Sequence, residues 1–250
     1  MAATVAEQLV EMLKNAGIRR VYGVTGDSLN FLNDALRRDG HIDWIQVRHE
    51  EVGAYAAMAE GVLGGLGCCA GSSGPGHVHL INGLYDAHRW GAPVIALAST
   101  ITSEDYGTES FQSTDLNMFD GCSHYNEVAM TPPQLPRMLQ QALQHAWSRK
   151  GVGVCAFPGD LMTCNAEEDL VWGDLYRPES VLHPSEKEIQ ALAELINTCD
   201  DIGIYAGIGC ADARAEVIEL AHVLKAPMAY TLKAKMALEY DNPYAVGLTG

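Results

Sequence analysis

The sequence predicts an α/β protein built on a doubly wound parallel sheet, followed by an incomplete second α/β unit of Rossmann-like type. Three observations predict this fold class. Short apolar runs alternate along the chain with amphipathic segments of helical period. The apolar runs are continuous, as expected for strands buried on both faces. Glycine turns such as "GVTGDS" and "GSSGPG" join several runs to the helices that follow them.

The elements of the first unit follow from these signals in chain order. Thr4 can cap a first helix, and "RRVYGVTG" follows it as a strand. Then come "DSLNFLNDALRR", a helix that Asp27 or Ser28 can cap, the strand "IDWIQVRH" and the helix "EEVGAYAAMAEGVLGGLG". "CCAGSS" and "PVIALAST" predict two strands on either side of a helix that begins at "GPG". Residues 101–125 are polar and aperiodic, and a helix and the strand "GVGVCAFPGD" close the unit.

The chain is predicted to divide into two domains. Residues 1–162 form the first domain, and the aperiodic segment 163–183 is interpreted as a linker. Residues 184–250 begin a second α/β domain with a helix capped by Ser185, and two strands are predicted in it. Two strands cannot bury their helices or cover their edges, so this domain is expected to be incomplete.

Composition and charge exclude several function classes. The formal net charge is -16, whereas nucleic acids and anionic membranes need a basic face. The seven cysteines include no C-x-x-C pair, which disfavours a zinc site or a disulfide framework and favours a reducing cytoplasm. No apolar run is long enough for a membrane segment, and the amino terminus is expected to be a helix of a globular domain rather than a signal peptide.

The first candidate for chemistry is Glu50, in "VRHEEVGAYAAMAEG". It follows a strand and opens a helix, as does Glu51. Either carboxylate can simply favour the positive end of the helix macrodipole, by about 0.3–1 kcal/mol. The alternative is a carboxylate in a partly dry cleft at the carboxyl end of a strand, where it can share a proton with a heterocycle nitrogen. Spacing alone leaves both readings open.

The remaining motifs are individually weak. "GSSGPG" makes a rigid turn whose backbone can approach a ligand, and it is equally an ordinary strand-to-helix turn. Asp27 is more readily a helix cap than an acid catalyst. His77 and His79 are two residues apart on one predicted helix and therefore do not share a face, so no metal site is predicted. Neither G-K-[ST] nor G-x-G-x-x-G is present, which gives a plain nucleotide-binding module little support.

Taken together, the motifs are much more specific. "GVTGDSLNFLNDAL", "RHEEVGAYAAMAEG", "GSSGPGHVHLINGLYDAH", "PVIALAST" and "SFQSTDLNMF" occur in this order. The chain resembles the amino-terminal pyrimidine-binding domain and the start of the central domain of thiamine diphosphate-dependent enzymes. Within that family it resembles the quinone-dependent pyruvate dehydrogenase, or pyruvate oxidase, branch through "TGDSLN", "CSHY" and "EYDNPYAVGLTG". The likeness covers essentially the whole chain.

The resemblance implies roles for individual residues. Glu50 is the catalytic carboxylate: it meets N1′ of the aminopyrimidine and activates the cofactor to form the C2 carbanion, which attacks a 2-oxo acid such as pyruvate and leads to decarboxylation. Glu51 is expected to have no chemical task. The other residues that the resemblance assigns to cofactor binding or to the active site and the flavin domain are Gly26, Asp27, Ser28, Ser73, Pro75, Gly76, His79, Phe111, Gln112, Gly207 and Gly209.

The resemblance also implies cofactors, partners and limits. The intact enzymes use FAD and Mg²⁺ besides thiamine diphosphate and form homodimers or homotetramers. Many relatives have Asn where His79 stands, and no G-D-G motif with its following Asn, which would hold Mg²⁺ and the diphosphate, occurs in these 250 residues. The chain is therefore expected to be a truncated, cytoplasmic oxidoreductase fragment that is inactive alone. The alternatives are a non-catalytic assembly partner and an acetolactate synthase-like enzyme.

Overall fold

The protein consists of two compact units, described here from a computed structural model. Unit 1 comprises Met1–Pro178 and unit 2 comprises Glu179–Gly250. The structure describes residues 3–167, 172–177 and 182–249. Parts of the predicted linker 163–183 lie outside the described residues. Within the described part, carbonyl oxygens of Trp172 and Asp174 accept hydrogen bonds from Asn15 and Gln140 of unit 1 at 3.0 and 2.9 Å.

Unit 1 alternates helices and strands as predicted. Its helices are α1 Val5–Asn15, α2 Asn30–Asp39, α3 Glu50–Val62, α4 Pro75–Trp90 and α5 Gln134–Arg149. Its strands are β1 Arg20–Gly23, β2 Asp43–Gln46, β3 Gly67–Gly71, β4 Val94–Thr100, β5 Tyr125–Val128 and β6 Val152–Pro158. The six strands form one sheet in the order β2-β1-β3-β4-β6-β5, and every pairing is parallel. The predicted fold class is confirmed.

Both faces of this sheet are covered, which explains the continuous apolar strands. On one face, side chains of α1, α2 and α5 pack with Ile95 and Leu97 of β4. On the other face, side chains of α3 and α4 pack with Val94, Ala96 and Ala98 of the same strand. Successive residues of β4 thus enter opposite cores, because side chains alternate across a strand. All seven residues of β4 are buried.

Two local predictions in unit 1 were wrong. The aperiodic stretch 101–125 contains a 3₁₀ helix, Leu116–Cys122, and the first residue of the edge strand β5. Leu116 and Phe119 of that 3₁₀ helix are buried in the core beside α4. Asp27 and Ser28 do not cap α2, because they lie in a preceding 3₁₀ turn and Leu29 occupies the cap position. Thr4 caps α1 as predicted, and its side chain accepts from the backbone N–H of Glu7.

Unit 2 has a three-stranded parallel sheet in the order β7-β8-β9, one strand more than predicted. Its strands are β7 Ile204–Ala206, β8 Met228–Tyr230 and β9 Ala245–Leu248, and its helices are α6 Glu186–Ile196, α7 Arg214–Leu224 and α8 Lys235–Leu238. Ser185 caps α6 as predicted. None of the helices in the described ranges combines the length and the apolarity that crossing a bilayer requires.

Candidate functional site

The loops that follow β1, β2, β3 and β4 meet at the carboxyl-end rim of the sheet in unit 1. Glu50 is the first residue of α3, which follows β2, and it is only 7% exposed. It does not cap its own helix. That task falls to His49, whose Nδ1 accepts from the backbone N–H of Glu51 at 3.3 Å. The Glu50 carboxylate is therefore free to make contacts outside α3.

The Glu50 carboxylate contacts α4. Its Oε2 lies 2.9 Å from Nδ1 of His79, and the imidazole of His79 stacks on that of His49 with ring centroids 4.1 Å apart. No hydrogen bond to Oε1 is found among the described residues, although a tenth of the side chain remains open to solvent. This opening leaves Oε1 accessible, so the oxygen is suited to accept a hydrogen bond from a ligand or water.

The glycine turn before α4 gives a ligand room beside that oxygen. Gly74 has φ +77°, a conformation that favours glycine, and Pro75 occupies the first turn of α4. A Cβ on Gly76 would lie 3.3 Å from Oε1 of Glu50, whereas the glycine leaves that space empty. A Cβ on Gly74 would lie within 3.3 Å of the backbone of Gln112. The turn thus brings Glu50 and the loop of residues 110–115 to one place.

Serine hydroxyls fix the other loops of the rim. Oγ of Ser28 lies 2.9 Å from Oγ of Ser72 and accepts from the backbone N–H of Ser73 at 3.1 Å. Ser99 of β4 donates from its Oγ to the carbonyl oxygen of Ser28 at 2.5 Å. A Cβ on Gly26 would overlap the side chain of Ser72, so only glycine fits at this position. These bonds hold the loops after β1 and β3 against the end of β4.

His77 connects α4 to β4 and to the loop before the 3₁₀ helix. It is 1% exposed, with Nε2 2.9 Å from the carbonyl oxygen of Ser99 and Nδ1 2.7 Å from Oγ1 of Thr114. A carbonyl only accepts, so the proton lies on Nε2 and Nδ1 accepts from the Thr114 hydroxyl. Burial lowers the pKa of His77 to about 4, which keeps the ring neutral near pH 7.

Two cavities open at this rim. One, of about 250 Å³, is lined by Asp27, Ser28, Phe31, Ser73, Gln112 and Asp160 among others. The second, of about 270 Å³, is lined by residues that include Ser73, His77, Gln112 and Thr114. Ser73 and Gln112 border both cavities, so the two spaces adjoin. Each is comparable to the lower end of small-molecule sites.

The structure brings together most, but not all, of the residues singled out from the sequence. Glu50, Gly76 and His79 form one contact set, and Gly26, Ser28 and Ser73 form another within the same rim. Phe111, beside Gln112, is 92% exposed. Gly207 and Gly209 belong to unit 2, where a Cβ on either would meet open space, so no close approach there requires glycine. Sequence reasoning missed the roles of His49, His77, Ser72 and Ser99. Apart from the helix cap that His49 provides, the contacts described for them are long-range.

These observations define the class of protein: a parallel α/β domain that presents a buried carboxylate, a bare glycine backbone and adjoining cavities at its strand ends. Comparisons with known proteins agree. Residues 3–119 match the family model described as thiamine pyrophosphate enzyme, N-terminal TPP binding domain, and residues 189–250 match that of its central domain.

Curated relatives give the same assignment. The chain is 46% identical to an uncharacterized 42.6 kDa protein of Pseudomonas amyloderamosa, over 98% of this chain and 63% of that protein. It is 34% identical to a pyruvate oxidase of Lactiplantibacillus plantarum, over 96% of this chain and 40% of the oxidase. It is 30% identical to the acetolactate synthase isozyme 2 large subunit of Escherichia coli, over 98% of this chain and 45% of that subunit. The chain spans about half the length of the curated relatives it matches.

The chain therefore belongs to the thiamine pyrophosphate (thiamine diphosphate) enzyme family, as the resemblance predicts, and it carries sequence of that family's amino-terminal and central domains.

Proposed function

We propose that this chain supplies the pyrimidine-binding half of a thiamine diphosphate site in an oxidoreductase that decarboxylates pyruvate. The observation that carries the proposal is the Glu50 carboxylate, which is buried, held through one oxygen by His79 and open at the other beside Gly76. Thiamine diphosphate supplies, when bound, the reactive thiazolium carbon that attacks a keto carbon.

In this proposal the protein's own residues bind and orient. Oε1 of Glu50 exchanges a proton with N1′ of the aminopyrimidine, while His79 fixes the rotamer of the carboxylate from the other side. The empty space at Gly76 lets a flat ring approach Oε1. The Ser28, Ser72 and Ser73 hydroxyl network holds the two glycine turns that border the ring. Asp27, Pro75, Phe111 and Gln112 are proposed to line the same site.

The remaining assignments rest on the relatives. The similarity to a pyruvate oxidase supports pyruvate as substrate. FAD as a further cofactor and a quinone as electron acceptor are proposed from the family resemblance alone. Gly207 and Gly209 are proposed flavin contacts, although nothing crowds them in this structure. We assign no residue of this chain to Mg²⁺. The protein is further proposed to form a homodimer or homotetramer in the cytoplasm. Each chain then has two domains, residues 1–162 and 184–250, joined by the linker 163–183.

A second candidate function is that of an acetolactate synthase-like enzyme, which the 30% identity to the Escherichia coli large subunit supports. Both candidates begin with decarboxylation of pyruvate and use the same carboxylate. They differ in the fate of the bound two-carbon unit, which is oxidised in one and joined to a second 2-oxo acid in the other. A non-catalytic role in assembly remains a third proposal, to be adopted if no turnover is found.

A titration of the protein with thiamine and with thiamine diphosphate plus Mg²⁺ tests the role of Glu50. Glu50→Gln and Glu51→Gln form a matched pair, because both change one carboxylate in the first turn of α3. We expect Glu50→Gln to weaken binding by about 10-fold or more, since an amide is a poor proton partner, and Glu51→Gln to change it less than twofold. Equal effects of the two changes would show that the carboxylate is misassigned.

Product analysis separates the two enzymatic candidates. The protein is incubated with pyruvate, thiamine diphosphate, Mg²⁺, FAD and ferricyanide. Carbon dioxide release coupled to ferricyanide reduction supports the oxidase, whereas acetolactate formation that ferricyanide does not suppress supports the synthase. Thiamine binding without either product supports the assembly role.

A further inference from the structure

His49, Glu50 and His79 form a second kind of site around the same carboxylate. Each offers one ligand atom, and these atoms all lie within 4.8 Å of one another. Among the described residues this is the one cluster of three histidine, cysteine or acidic side chains with that spacing. We propose that it binds a divalent transition metal ion of the Zn²⁺ type.

The donor set selects the class of metal. Two imidazoles and one carboxylate match the three-ligand sets of zinc sites that keep a fourth position open. Mg²⁺ and Ca²⁺ prefer oxygen ligands, so neither competes well here. The protein's net charge of -16 raises the local concentration of any cation. The site is therefore selective for zinc and its first-row neighbours.

The geometry needs only side-chain movement to close on a metal. Tetrahedral bonds of 2.0–2.1 Å place donor atoms about 3.3 Å apart. His79 Nδ1 and Glu50 Oε2 are already 2.9 Å apart, and the stacked rings keep the nitrogens of His49 near this pair. The side chains of His49 and His79 are 43% and 40% exposed, which gives both rings room to move, whereas Glu50 is 10% exposed and fixed by its surroundings. Rotation of the His49 ring gives up the cap bond that its Nδ1 accepts from Glu51 at 3.3 Å.

Zinc titration of the metal-stripped protein against a chromophoric chelator tests the proposal. Thiolates are soft ligands that compete for zinc, and Cys164 and Cys199 are exposed, so exposed thiols are first blocked with iodoacetamide. We expect one zinc per chain, and we expect Glu50→Gln and His79→Gln to weaken binding at least about 10-fold. His41→Gln is the control, because His41 is 74% exposed and lies outside the cluster.

Two results of this titration would overturn the site: wild-type affinity in His79→Gln, or an equal loss in His41→Gln. Cobalt(II) gives a second test on the wild-type protein that does not depend on whether a variant folds. Intense visible bands of four-coordinate cobalt without a thiolate charge-transfer band support the site. The weak bands of six-coordinate aqueous cobalt overturn it.

Zinc and thiamine would then exclude each other, a consequence that rests on the proposed function as well. Zinc at one equivalent should weaken thiamine binding, and Mg²⁺ at the same concentration should not. Additive binding of both ligands would show that they do not share Glu50. The zinc titration needs no thiamine, so it tests the metal site even if the protein binds no thiamine.

Discussion

The crossing of α3 and α4 positions Glu50 against His79, and Gly83 makes that crossing possible. A Cβ on Gly83 would lie 2.6 Å from Cβ of Ala54 and 2.9 Å from the carbonyl oxygen of Glu51. Ordinary carbon–carbon contacts are about 3.5–4.0 Å, so Gly83→Ala forces the helices apart by roughly 1 Å at this point. The change therefore strains the packing and also disturbs the pair that holds the carboxylate.

The expected magnitude is a balance of two effects. Overpacking costs about 1–3 kcal/mol. We expect the upper half of this range for Gly83→Ala, because a backbone carbonyl cannot rotate away from the new methyl group. Replacing a mid-helix glycine by alanine returns about 0.5–1 kcal/mol of helix stability. Gly83→Ala should thus lower the free energy of unfolding of unit 1 by about 1–2.5 kcal/mol. Gly53→Ala is the matched control in α3, since its nearest contact would be 3.2 Å and the gain in helix propensity is the same.

Urea unfolding followed by tryptophan fluorescence measures this difference. All four tryptophans, at positions 44, 90, 147 and 172, belong to unit 1, so the signal reports that unit alone. We expect Gly53→Ala to stay within about 0.5–1 kcal/mol of the wild type. If Gly83→Ala is as stable as Gly53→Ala, the close helix crossing does not limit the packing and the reasoning is wrong.

Three further predictions concern other parts of unit 1 and the thiols. Burial lowers the pKa of His77 from 6.5 to about 4, so the unfolded chain gains a proton first as the pH falls. The free energy of unfolding should therefore drop by about 2 kcal/mol between pH 7.5 and pH 5. His77→Gln should remove this component of the pH dependence in urea titrations. Asp160→Ala removes the acceptor for the backbone N–H and hydroxyl of Ser103, and amide exchange within 101–115 should rise about fivefold, measured by mass spectrometry. Burial raises the pKa of four interior thiols, those of Cys68, Cys69, Cys122 and Cys155. Alkylation of the native protein at pH 8 should leave these four cysteines unmodified, which peptide mapping detects.

The sequence predicts the interior strands of unit 1 well because each is a continuous apolar run buried on both faces. The four-residue edge strand β5, "YNEV", escapes prediction for the opposite reason. It pairs only with β6, leaves Glu127 exposed and carries no apolar run. In unit 2, β9 is equally short, and every one of its residues keeps some exposure. Short strands owe their place to neighbours that local periodicity does not encode.

For the candidate site, local spacing identifies the carboxylate but not its surroundings. The two-residue spacing of His77 and His79 correctly predicts that they do not share a face: one contacts Thr114 and the other Glu50. The same rule cannot show that His49 and His79, 30 positions apart, stack on each other. That contact depends on the crossing of α3 over α4, which is a property of packing rather than of either helix.

The structure also bears on the two interpretations of Glu50 that spacing leaves open. A carboxylate placed only for the helix macrodipole needs no burial and no partner beyond its own first turn. Glu51 is closer to that description in its burial, with a side chain 33% exposed, although its Oε1 accepts a hydrogen bond from Nδ2 of Asn82 on α4 at 2.5 Å. Both carboxylates therefore contact α4, and Glu50 differs in being buried, with a side chain only 10% exposed. Burying a carboxylate opposes folding, and the proposed contact of Glu50 with a ligand would account for that cost.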